Sequence, residues 1–413
     1  MTSSEPLAFH VMTKPSGAIC NLDCKYCFYL EKEKLYPGTT DFFMKPDTQE
    51  AYIRQYIESQ DVPEIHFAWQ GGEPTLLGIP FFERTVELQK KYCPPGKKIF
   101  NAFQTNGTLV DDAWCEFFKK KDFLIGLSMD GPKAVHNRYR VTKGGGDTWD
   151  KVMNALSLLK KHAVEFNTLT VVNRELSKAP LEIYRFLKEH GSGYMQFIPL
   201  VERKGSEVGT LATPPVYNEK GELEEVSSVT PWSVQPGDYG SFLTAIFDEW
   251  VRNDVGKVFV QLFDVQLGIW MGHPSSLCIF SETCGKALAL EHNGDLYSCD
   301  HYVYPEHKLG NLFKESLGDM VRSEKQQKFG TDKKDTLPKY CRDCEVRFAC
   351  NGECPKHRFF RTPDGEGGLN YLCAGYKRFF KHIDPYMKTM AGLLNERRAP
   401  AEIMGMLSQQ GKK

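Results

Sequence analysis

Apolar positions in the first two hundred residues follow two alternating rhythms. Short runs rich in β-branched and aromatic side chains occur at AFHVMTK (8–14), EIHFAWQ (64–70), KIFNAFQ (98–104), FLIGLSMD (123–130), EFNTLTVV (165–172) and YMQFIPL (194–200), and each predicts a strand. Between them lie longer stretches such as TQEAYIRQYIESQ and TWDKVMNALSLLKKH. Their apolar residues recur at three and four, which predicts amphipathic helices. Six strand–helix units in series imply parallel strands joined by right-handed crossovers. The fold class expected is α/β, a partial (β/α)6 TIM-like barrel.

The polar motifs gather where these strands end: WQGGEP (69–74), FQTNGT (103–108), LSMDGP (127–132) and IPLVER (198–203). Barrel enzymes build their sites from the loops at the C-terminal ends of strands, so these loops are expected to share one mouth. From about 203 to 238 the chain is rich in Gly, Pro, Ser and Glu without periodicity, and reads as a linker or insertion. A helical stretch, YGSFLTAIFDEWVRND, comes next, then a cysteine-rich half, then a helical tail after 376 that closes it. The domains expected are 1–238 and 239–413.

Composition removes several classes of function. Of 413 residues, 41% are hydrophobic and the formal net charge is −1, so neither a nucleic-acid nor an anionic-membrane partner is suggested. No window reaches the ~18 apolar residues of a membrane span, and MTSSEPLAFHVMTKP lacks a basic region followed by an apolar one. A cytoplasmic protein is expected, with monomer as the default state. Thirteen cysteines in such a chain point to metal binding rather than disulfides.

Three of those cysteines, Cys20, Cys24 and Cys27, form C-x3-C-x2-C in ICNLDCKYCFY, directly after the first strand. Three thiolates on a four-iron cluster leave one iron open for a small molecule. Eight more lie between 278 and 373: Cys278 and Cys284, Cys299, then Cys341, Cys344, Cys350 and Cys354, and finally Cys373. Spacing alone groups 341–354 together and suits zinc as well as iron. Cys93 and Cys115 match neither set and read as ordinary buried thiols. The glycine run KGGGDT (143–148) lacks the G-K-[ST] ending of a phosphate cradle and reads as a flexible loop, and EKEK (31–34) as a solvated charged face.

The triplet, with Tyr26 before its last cysteine, resembles the signature of the radical S-adenosylmethionine (radical SAM) superfamily, and the later array resembles a SPASM domain. WQGGEPTL and SCDHYVYPEHKLGNL narrow the resemblance to the anaerobic sulfatase-maturating enzymes. It covers nearly the whole chain and implies three 4Fe-4S clusters with S-adenosylmethionine as cofactors. The first cluster would sit on Cys20, Cys24 and Cys27, one auxiliary cluster on Cys278, Cys284, Cys299 and Cys354, and the other on Cys341, Cys344, Cys350 and Cys373. Tyr26, Gly72, Ser128, Arg140 and Val201 would contact S-adenosylmethionine. Asp300 would be the general base, although a carboxylate there equally caps a turn, and His301 would shape its surroundings. The implied reaction oxidises a serine or cysteine in a [CS]-x-[PA]-x-R segment of an unfolded sulfatase to Cα-formylglycine. Flavodoxin or ferredoxin would supply the electron that cleaves S-adenosylmethionine. Rival readings are a SPASM enzyme forging a thioether or carbon–carbon crosslink in a peptide, and a zinc-stabilised binding module.

Overall fold

The computed structural model describes residues 7–203 and 229–410. Most of the proposed linker, 204–228, and the first six residues lie outside them. Six strands alternate with helices, two helices standing between β4 and β5: β1 (His10–Lys14), α1 (Pro46–Glu58), β2 (Glu64–Trp69), α2 (Ile79–Tyr92), β3 (Lys98–Thr105), α3 (Asp112–Lys120), β4 (Phe123–Ser128), α4 (Lys133–Tyr139), α5 (Trp149–Lys161), β5 (Phe166–Val172), α6 (Pro180–His190) and β6 (Tyr194–Pro199). After these come α7 (Pro236–Asn253), β7 (Phe259–Val260), α8 (Gln261–Trp270), β8 (Ala287–Glu291), β9 (Asp295–Tyr297) and β10 (Lys308–Asn311). Each of the six expected strands is present.

Two compact units emerge. The first holds residues up to Ser128, His136–Phe166 and Cys284–Asp332. Its strands run in the order β10-β9-β8-β1-β2-β3-β4. β1 to β4 are parallel, with Val11 opposite Phe67 and Phe67 opposite Asn101. β8 joins the other edge of β1, also parallel, with Lys14 opposite Glu291, while β9 and β10 return antiparallel. Under the sheet lies an aromatic core: Phe82, Phe103, Trp114, Phe118 and Phe123 are all buried, with Phe82 and Phe103 4.9 Å apart edge to face. Local signals place its helices: Pro46 opens α1, and Asp111 caps α3 by accepting from the Trp114 amide at 2.9 Å.

The second unit holds Met129–Val135, Asn167–Thr283 and the chain from Lys333 on. It contains β6 paired in parallel with β5 and β7. Helix α7 packs along the 23-residue helix Cys373–Asn395. The two cross at glycines, where a Cβ on Gly375 would lie 2.1 Å from the Pro236 carbonyl oxygen. That close approach requires the missing side chain at Gly375.

Candidate active site

The cysteine loop leaves the end of β1 and is tied down on three sides within the first unit. Toward the β2 loop, the Gly72 amide donates to Gly17 O at 2.8 Å and the Glu73 amide to Ile19 O at 2.9 Å. Toward the β3 loop, Asn106 Nδ2 donates to Asn21 Oδ1 at 2.8 Å and lies 3.7 Å from Cys20 Sγ. On the third side, Asp23 N and Lys25 N donate to Val141 O and Tyr139 O at 2.8 and 3.0 Å. Two strand-end loops and the segment at the end of α4 therefore fix the frame on which the thiols sit.

Glu73 locks two of those loops together. Its buried carboxylate accepts from Thr75 N and Thr75 Oγ1, from Thr105 Oγ1 at 2.7 Å and from Asn106 N at 2.8 Å. Burial pushes this carboxyl above its usual range, and those donors oppose the shift. Gly72 owes its identity to the same packing, since a Cβ there would sit 1.9 Å from Ile19 O. Its amide is spent on Gly17, so any ligand contact at Gly72 runs through its carbonyl.

Tyr26 is buried beside Tyr139, with ring centres 5.8 Å apart, and the buried Arg140 guanidinium lies 5.6 Å from the Tyr26 ring centre. Ser128 is buried at the end of β4. Val201 is buried in the second unit. Cys27 packs against a small core of Ala18, Tyr29, Ala289, Tyr297 and Val303. The cysteine loop thus rests on the segment that carries Cys299 and Asp300.

Asp300 begins a short 3-10 turn, Asp300–Tyr302. Lys14 Nζ lies 2.5 Å from its Oδ1, the lysine side chain being 1% exposed and the aspartate 18%. The same ammonium donates to Gln70 Oε1 at 2.6 Å and stands 4.3 Å from the Tyr29 ring centre. Tyr29 donates to the buried Glu291, and His301 meets Phe28 edge to face at 5.9 Å. A second buried lysine, Lys32, donates to Val303 O at 3.0 Å and covers the Tyr304 ring at 3.3 Å. EKEK is therefore not wholly a solvated face: one of its lysines turns inward, because aromatic and carbonyl groups satisfy the ammonium there.

Burial pushes the Cys20 thiol up to about 11 and raises Cys27 as well. A cationic iron reverses that preference by holding the thiolate. In the second unit Cys341, Cys344, Cys350 and Cys373 line one pocket, with Tyr340, Arg347 and Lys377 at its wall. Among the described residues no three His, Cys, Asp or Glu side chains converge on a single-ion position. Four thiols around one cavity are a donor set that fits a 4Fe-4S cluster. Cys278 and Cys354 belong to the second unit and Cys284 and Cys299 to the first.

The chain matches the radical SAM superfamily over residues 15–187 and the SPASM iron-sulfur cluster-binding domain over 278–345. It is 47% identical to a serine-type anaerobic sulfatase-maturating enzyme of Bacteroides thetaiotaomicron, covering 98% of this chain and 97% of that one. The chain belongs to the anaerobic sulfatase-maturating enzymes. A cysteine-type member from Clostridium perfringens is 34% identical over 92% of this chain and 98% of its own. A solved structure of native anSMEcpe with bound AdoMet and the Cp18Cys peptide superposes with a TM-score of 0.80, at 34% identity, over 94% of this chain and 100% of that one. This sulfatase-maturating family member thus has the radical-SAM partial barrel and SPASM domain that the sequence led us to expect. Cys350, Cys354 and Cys373 lie beyond the matched SPASM residues. Among the described residues no helix is long and apolar enough to cross a membrane.

Sequence reasoning passed over Lys14, Glu73 and Asn106. Lys14 had a readable signal: it is a charged residue closing an apolar strand at the barrel rim, where site residues collect. Glu73 carries no local signal, because two of the groups that donate to it, Thr105 Oγ1 and Asn106 N, belong to the β3 loop.

Proposed function

We propose that this protein oxidises a serine or cysteine in a [CS]-x-[PA]-x-R segment of an unfolded sulfatase to Cα-formylglycine, using three 4Fe-4S clusters and S-adenosylmethionine. The single observation that carries the reading is Asp300 held at 2.5 Å by a buried lysine, on the segment against which the cysteine loop packs. When bound, the cofactors supply a radical that takes hydrogen from the substrate Cβ and an outlet for the electron left behind. Asp300 takes the hydroxyl or thiol proton, and Lys14 holds the carboxylate in place. Tyr26, Gly72, Ser128, Arg140 and Val201 hold S-adenosylmethionine, the Arg140 fork facing its carboxylate. Cys20, Cys24 and Cys27 hold the first cluster. Cys278, Cys284, Cys299 and Cys354 hold one auxiliary cluster, and Cys341, Cys344, Cys350 and Cys373 the other.

The functional division is residues 1–238 for the radical step and 239–413 for the auxiliary clusters. Serine is the preferred target, a choice supported by 47% identity to a serine-type relative against 34% to a cysteine-type one. The protein works as a cytoplasmic monomer and takes its electron from flavodoxin or ferredoxin. The test is anaerobic reconstitution followed by incubation with reductant, S-adenosylmethionine and a sulfatase-motif peptide. About twelve irons per chain and a loss of about two mass units from a serine peptide, or about eighteen from a cysteine peptide, are expected. Deoxyadenosine with unchanged peptide would move the protein to another peptide substrate, as in the crosslinking SPASM enzymes.

A further inference from the structure

Between Cys350 and Cys354 the backbone takes an unusual course. Asn351, Gly352 and Glu353 all have positive φ, at 46°, 70° and 50°. Two of the three are not glycine, and a left-handed conformation is unfavourable for Glu353 above all. The surroundings must hold such a run in place. Here one side chain does so from within.

Arg358 is buried and donates to four backbone carbonyls. Its Nη2 reaches Asn351 O at 2.9 Å and Glu353 O at 3.2 Å, its Nε reaches Gly352 O at 2.9 Å, and its Nη1 reaches Lys333 O at 2.5 Å. The left-handed run turns three successive carbonyls toward one point, and the planar guanidinium matches them with its fixed fork. Gly352 has no room for a side chain, since a Cβ would lie 2.7 Å from Arg358 Nη2 and 2.4 Å from Leu337 Cδ2. Lys333, whose carbonyl Arg358 also holds, extends the contact by donating from Nζ to Cys278 O at 2.6 Å. On the other side of the run the buried Glu353 carboxylate accepts from His357 Nδ1 at 2.9 Å and Asn370 Nδ2 at 2.5 Å. Every residue of the link is therefore fixed, and Arg358 is the piece they share.

We propose that Arg358 is the positioning residue that sets the separation of Cys350 and Cys354, and so mounts the two auxiliary clusters as one unit. The proposal rests on the reading that those two cysteines serve different clusters. Lysine cannot replace Arg358, because three donors on a single nitrogen do not meet four separated carbonyls.

The test compares reconstituted wild type with Arg358→Lys and Arg358→Met, reading iron and sulfide per chain, the EPR spectrum of the reduced protein and far-UV circular dichroism. The expected result is about twelve irons in wild type and a fall to about four to eight in both variants. Altered auxiliary-cluster EPR signals and unchanged circular dichroism should accompany that fall. Arg358→Lys with wild-type iron and EPR would overturn the assignment. Failure of both variants to fold would also overturn it, by making Arg358 a residue of the fold rather than of the cluster mounting. Wild type with only about four irons would instead sink the three-cluster reading, whatever Arg358 does, and this inference with it.

Discussion

Replacing Gly72 with alanine tests whether the GGEP loop is a structural clamp on the cysteine loop. The added Cβ would lie 1.9 Å from Ile19 O, 2.3 Å from the Ile19 carbonyl carbon and 2.8 Å from the Ala18 carbonyl carbon. All three are backbone atoms, so no rotamer change relieves the overlap. Carbon needs about 3.5 Å from such neighbours, and the two loops must separate by more than an ångström. That movement breaks the Gly72–Gly17 and Glu73–Ile19 hydrogen bonds, worth about 1 kcal/mol each. Residual strain adds about 1–3 kcal/mol, for a total of about 3–5 kcal/mol. In a unit of this size the apparent melting temperature should fall by roughly 10 °C. Ala18 and Ile19 immediately precede Cys20, so deoxyadenosine formation from S-adenosylmethionine should fall with it. A Gly72→Ala protein that melts within about 2 °C of wild type and cleaves S-adenosylmethionine at the wild-type rate would refute the clamp.

Asp300→Asn should lower formylglycine yield by about 10²–10⁴-fold while S-adenosylmethionine cleavage continues, read as the ratio of aldehyde product to deoxyadenosine; an unchanged ratio removes Asp300 from the proton step. Lys14→Met removes the ammonium that meets Asp300 Oδ1 at 2.5 Å, and should destabilise the protein by about 1.5–3 kcal/mol and lower the same ratio; a wild-type melt and ratio would show that the pair does neither. Gly375→Ala drives a Cβ to 2.1 Å from Pro236 O at the crossing of α7 with the Cys373 helix. It should cost about 1–3 kcal/mol, seen as a lower melting temperature, and an unaltered melt would mean that the crossing yields freely.

The six barrel strands were legible because each is a local pattern, and their observed bounds differ from the expected ones by two residues or fewer, as at β1, His10–Lys14 against 8–14. The cysteine triplet was legible for the same reason, since its spacing is contained in eight residues. What escaped is non-local. β8, β9 and β10 are three to five residues long, too short to leave a periodicity, and the pairing of β8 with β1 joins segments far apart in the chain. Lys14 and Lys32 escaped because a lysine looks solvated until its carboxylate, carbonyl or aromatic partner is known. Those partners, Asp300, Val303 and Tyr304, all lie in the segment that β8 and β9 bring alongside.

The pairing of β1 with β8 also sets an order of assembly. Lys14 faces Glu291, so the strand leading to the cysteine loop and the strand leading to Asp300 are neighbours separated by 277 residues (291 less 14) of chain. At about 5–20 residues per second of synthesis, roughly 15–55 s pass between the emergence of the two. Throughout that interval β1 has β2 on one side and an open edge on the other, and such an edge invites pairing with foreign strands. The chain thus exposes Cys20, Cys24 and Cys27 early and closes the strand beside them late, so a product cut short before β8 keeps the β1 edge open.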